Sequence, residues 1–149
     1  MLGNDISNRK APSMLFRVED FLVEYRETTT IDKVMNKIVG KHKRAELNEE
    51  VCDTIDLIFR QTDFSVGLVC IEQDWGKFPK DMRDIIIQGL PVSDIHLVQN
   101  ALDIERLLNT GEYAFYVDDN LENHSLVGHN RCVTLKQINA IARKGYKYE

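Results

Sequence analysis

The chain has 149 residues, 43% of them hydrophobic and 29% charged, with a net charge of −5. That is the size and balance of one globular domain with its own core. The acidic balance argues against a general electrostatic grip on nucleic acid, and no apolar run is long enough to span a bilayer, so neither partner is expected.

Residues 1–13 read as a polar lead-in and 146–149 as a tail, around a single domain over 14–145. Met14 to Val18 is apolar apart from Arg17 and predicts a buried strand that runs out to charged residues. Thr30 is placed to cap a short helix, Ile31 to Val39, with Ile31, Val34, Met35 and Ile38 on one face and Gly40 as its stop. Asn48 caps a longer helix to about Arg60, with Val51, Ile55, Ile58 and Phe59 at helical spacing. Ser65 to Ile71 is a continuous, β-branched apolar run, the mark of a buried parallel strand.

Glu72 to Lys77 is polar apart from Trp75. Pro79 suits the first position of a helix that reaches Gln88. Ile95 to Val98 predicts a third strand, Ala101 to Leu108 a helix, and Tyr113 to Val117 a fourth strand ending in Asp118 and Asp119. The loop from Leu121 to Asn130 holds a short segment around Ser125 to Val127. Arg131 to Val133 is a last short strand, and Thr134-x-x-Gln137 is a capping box opening the final helix. Such alternation specifies an α/β, three-layer Rossmann-like domain with a mostly parallel central sheet. Its functional crevice lies beyond the carboxyl ends of the strands, where the charged residues after Val18 and Val117 meet.

The cysteines Cys52, Cys70 and Cys132 are odd in number and lack CxxC spacing, so reduced thiols are expected. Met1 to Asn8 lacks a signal peptide's apolar stretch, which makes a cytoplasmic location the expectation. Lys41 to Arg44 and Arg143 to Lys147 read as solvated basic surface. Cys70 with His96 is weighed as a thiol–imidazole pair, and His124 with His129 as metal ligands. Buried packing and a solvated loop are the plainer readings. Trp75 and Phe78 read as packing residues near the crevice, and Asp81, Arg83 and Asp84 as an exposed helix face.

Met14-Leu-Phe-Arg17-Val-Glu19-Asp20-Phe21-Leu-Val23 resembles the first motif of the haloacid dehalogenase (HAD) superfamily, an apolar strand followed by Asp-x-Asp-x-Thr/Val. Arg17 falls at that family's nucleophilic aspartate, Glu19 at its acid/base aspartate and Phe21 at its threonine or valine. Cys70 takes the place of the second motif's hydroxyl residue. Asn100 and Ala101 stand where the third motif carries lysine. Tyr113 to Asp119 matches the fourth, an apolar strand ending in paired acids that help hold magnesium. The resemblance spans about Met14 to Ala142 and implies a HAD-like fold with a minimal cap or none.

The resemblance also implies lost chemistry. A HAD phosphatase attacks phosphorus with an aspartate, while arginine is always cationic and can neither attack nor ligate magnesium. The expectation is a pseudoenzyme without catalytic or cofactor residues, of a kind found among phage and bacterial accessory proteins. It would bind or scaffold a protein partner or a small phosphorylated ligand. Arg17 is expected to fill the magnesium position and neutralise Asp118, Asp119 or both. The alternative is a magnesium-dependent phosphatase or nucleotidase using Asp20, Asp118 and Asp119.

Overall fold

The computed structural model describes residues 13–127 and 131–145. Ser13–Arg17 form β1, four of whose five residues are buried. It is flanked on both sides by parallel strands. β4 (Ser65–Ile71) and then β5 (Asp94–Val98) lie to one side, β6 (Tyr113–Val117) and β7 (Cys132–Val133) to the other. All four pairings are parallel, with Leu15 opposite both Gly67 and Tyr116. The expected α/β architecture with a parallel central sheet is therefore observed.

Strand alternation sends side chains to two faces, and helices cover both. Met14, Phe16, Leu68 and Cys70 pack with residues of α1 (Glu49–Gln61), α3 (Lys80–Gly89) and α6 (Leu135–Arg143). Leu15, Val69 and Tyr116 pack on the other face with residues of α4 (Ala101–Asn109) and α5 (Leu121–Val127). Across the first layer Asn139 of α6 donates to the hydroxyl of buried Thr54 in α1 at 2.9 Å. Among the described residues no helix is long and apolar enough to cross a membrane.

The local signals for α1 and α6 act as expected. Asn48 accepts from the amides of Glu50 and Val51, and Thr134 with Gln137 forms the capping box. Pro79 is the cap residue before α3 rather than its first turn. Two elements exceed the expectation: a one-turn helix α2 (Glu72–Trp75), and α5, which begins at Leu121 rather than near Ser125.

One expectation is overturned. Residues 31–39 form no helix; they are the end of a long antiparallel hairpin, β2 (Val23–Asp32) and β3 (Lys37–Leu47). Gly40 is not a helix stop but pairs with Thr30 inside the hairpin, next to a bulge at Val39. The carboxylate of Asp32 accepts from the amides of Val34 and Met35, and Asn36 adopts φ +52, which closes the turn. Val23, Ala45 and Leu47 anchor the hairpin base in the core, while its far end projects.

Candidate functional site

The strand order reverses across β1. From β1 the chain builds outward through β4 and β5, then returns to add β6 and β7 on the other side. Open parallel sheets take up ligands beyond the carboxyl ends of the strands at such a switch point. Arg17 ends β1 there and Asp118 follows β6. Leu15 and Tyr116 pack together, so Arg17 and Asp118, each two residues further on, lie on that same face.

These side chains form one buried chain of hydrogen bonds. Arg17 Nε donates to Glu19 Oε1 in an ion pair, and Arg17 Nη1 donates to Tyr116 Oη at 3.1 Å. Tyr116 Oη in turn donates to Asp118 Oδ2 at 2.8 Å. Asn123 Nδ2 donates to the same oxygen at 2.7 Å, and the Asn120 amide to Oδ1 at 3.0 Å. Glu19 Oε2 accepts from the Ile71 amide at 2.5 Å, tying the chain to the end of β4. Arg17, Glu19, Tyr116 and Asp118 are all buried.

Burial alone would lower the Arg17 pKa, but Tyr116 and Glu19 outweigh it and hold the guanidinium above its ordinary value. The Tyr116 phenol is pushed well up, by burial first and by Asp118 as well, against the pull of Arg17. The cluster is thus a fixed cation, a neutral phenol bridge and two carboxylates with assigned donors. It presents no exposed nucleophile.

Sequence reasoning placed Arg17, Glu19 and Asp118 together, and they are together. The expected partners of Arg17 are Asp118 and Asp119, with Glu19 able to join them. Arg17 does not pair directly with Asp118 or Asp119: its guanidinium turns to Glu19, and the Tyr116 hydroxyl stands between it and Asp118. Asp119 is used elsewhere, accepting from the Leu135 amide at 2.8 Å at the start of α6. Tyr116 was recoverable, because a side chain two residues before Asp118 on the same strand must share its face. Asn123 became readable only once α5 was known to start at Leu121.

The other candidates take structural places. Cys70 is fully buried among Phe16 and Leu68, and burial, then Glu19, pushes its thiol well up. His96 pairs in register with Val69, on the opposite face, and its Nε2 lies 2.7 Å from Tyr113 Oη, so no Cys70–His96 pair exists. Asn100 caps α4 by accepting from the Asp103 amide. Asp20, at φ +59, is exposed and lines a surface cleft with Glu24, Tyr25 and Glu27.

Among the described residues no group of three or more His, Cys, Asp or Glu side chains is arranged to hold a metal ion. His124 Nε2 donates to the Asp118 carbonyl at 2.6 Å, and His129 lies outside the described residues. Trp75 and Phe78 pack edge to face in the core.

No family model, no curated protein and no solved structure matches the chain.

Proposed function

We propose that this chain is a catalytically silent relative of the HAD superfamily that works by binding or scaffolding. The observation that carries the reading is Arg17 at the tip of the central strand, buried, ion-paired to Glu19 and hydrogen-bonded to Tyr116. At the position where the family attacks phosphorus stands a group with no usable lone pair. A positive charge there also opposes binding of magnesium by the neighbouring acids. The proposal is narrower than direct neutralisation of the paired acids. Arg17 compensates Glu19, Tyr116 passes its hydrogen bonding on to Asp118, and Asp119 has become a helix-capping residue.

The strand order around β1 and the paired acids after β6 support the family reading, and since only the β2–β3 hairpin and α1 stand between β1 and β4, any cap there is the hairpin alone. A protein partner is the first expectation and a small phosphorylated ligand the second. A cytoplasmic setting belongs to the same reading and rests on cysteines that form no disulfide among the described residues.

Magnesium calorimetry and an aryl phosphate assay, on the wild type and on Arg17→Asp, test it. The wild type takes up no magnesium and releases no phosphate. Arg17→Asp gains magnesium uptake, because a third acid joins Glu19 and Asp118. Turnover by the wild type that Asp20→Asn or Asp118→Asn abolishes would instead establish the phosphatase reading.

A further inference from the structure

The far end of the β2–β3 hairpin exposes five large apolar side chains, Ile31, Val34, Met35, Ile38 and Val39, each more than half exposed and Val34 at 93%. Ile31 and Ile38 are cross-strand partners, Val39 is the bulge residue, and Val34 and Met35 form the turn. Every described residue from Glu24 to Arg44 except Asp32 and Gly40 is exposed, so the hairpin covers none of this surface itself. A contiguous apolar knob held out in water marks an interaction site.

The knob is also basic. From Ile31 to Arg44 there are five Lys or Arg residues against the single acid Asp32, a balance of +4. With the whole chain at −5, the remainder carries −9. The rest of the chain is therefore opposite in net charge to this end of the hairpin.

That remainder holds a receptor of the right character. Trp75, Ile87, Val92, Ile95 and Leu97 line an open cleft of about 420 Å³ beside β5, within the range of pockets that accept an apolar anchor. Asp94 lines it too, and Glu72 and Asp74 flank Trp75 on α2. β5 is the sheet's edge strand, so its outer side has no neighbour in the sheet.

We propose that the hairpin knob of one copy seats in the β5-edge cleft of a second copy. Each single contact leaves one knob and one cleft free, so assembly proceeds either reciprocally, as a two-fold dimer, or head to tail, as chains or rings. A knob of five side chains stands at the small end of specific interfaces, below about 1,200 Å², and gives association that deepens with concentration and weakens with salt.

Sedimentation velocity over a concentration series tests this directly. The wild type shows a rising average mass. The knob variant Val34→Glu/Met35→Glu and the cleft variant Leu97→Glu each sediment as monomers, with unchanged far-UV circular dichroism. Ile87→Glu, on exposed helix surface, replaces Leu97→Glu if that variant unfolds. Mixed one to one, the knob and cleft variants form a one-to-one dimer and nothing larger, since each retains what the other lacks. Mixed variants that stay monomeric overturn the proposal. So does a wild type that stays monomeric at high concentration yet cosediments with phosphatidylserine vesicles or binds duplex DNA.

Discussion

Replacing Arg17 by methionine keeps much of the side chain's bulk and removes its charge. Glu19 is then left buried with the Ile71 amide as its partner, and Tyr116 loses one of its two polar neighbours. Both members of the ion pair are almost fully buried, with side chains 11% and 6% exposed, so solvent offers little screening. Breaking a buried pair by deleting one partner costs about 3–5 kcal/mol. With a urea m-value of about 2 kcal/mol per molar, the unfolding midpoint falls by roughly 2 M. Glu19→Gln added to Arg17→Met removes the orphaned charge and recovers at least half of that loss, because neutral replacement of a buried pair is often harmless. Urea titrations of the two single variants and the double variant supply the complete cycle. A loss below about 1 kcal/mol for Arg17→Met, or additive effects in the cycle, refutes the view that this ion pair is the buried charge balance of the site.

Tyr116→Phe removes the hydroxyl that joins Arg17 to Asp118 and costs about 2–3 kcal/mol by urea titration, since both lost bonds involve charged groups. Asp119→Ala uncaps the Leu135 amide and costs about 1 kcal/mol, while Asp119→Asn, which keeps an acceptor oxygen, costs much less. A Cβ at Gly67 would lie 2.5 Å from Tyr113 Oη and 2.7 Å from its Cε1, with the ring held by His96. Gly67→Ala therefore loses about 1–3 kcal/mol, and Tyr113→Leu partly suppresses the loss in the double variant. Burial first of all raises the folded-state pKa of Cys70, Tyr113 and Tyr116 above ordinary values of 9.0 for the thiol and 10.0 for the phenols. A group with a raised folded pKa contributes stability in full below its unfolded pKa and loses it as pH rises. Urea midpoints should thus hold up to about pH 8.5 and fall through pH 9–11, and Tyr116→Phe should flatten part of that fall.

The parallel sheet was legible because its strands are buried on both faces and so read as continuous apolar runs, Ser65 to Ile71 most plainly. Helices α1 and α6 were legible because their caps are local chemistry. The hairpin was misread for an identifiable reason. Ile31 and Ile38 are seven residues apart, which is two turns of a helix and also a cross-strand pair closed by a short loop. Val34 and Met35 complete the helical spacing only because they form the turn. The run Thr28-Thr29-Thr30, the β-branched Ile31, Val34, Ile38 and Val39, and Asp32 with Asn36 as turn residues were the discriminating signals. At the site, charge type and strand position located Arg17, Glu19 and Asp118. Hydrogen-bond pairing among them depends on side-chain reach across β1 and β6, which spacing does not encode.

The central position of β1 also sets a timetable for synthesis. The hairpin and α1 pair or coil within themselves and form within microseconds of emerging. β1 has no such local partner. Ser13 pairs with Ser65 and with Tyr113, and Arg17 meets Tyr116 only 99 residues later in the chain. At about 5–20 residues per second, a ribosome needs roughly 5–20 s to deliver that strand. Through that interval Leu15, Phe16 and Arg17 have an open edge, and of the native partners Glu19 and Tyr116, Arg17 has Glu19 but not yet Tyr116. The nascent chain is therefore most vulnerable to aggregation before β6 emerges, and a ribosome stalled ahead of Tyr113 would hold a sheet missing one side of its central strand.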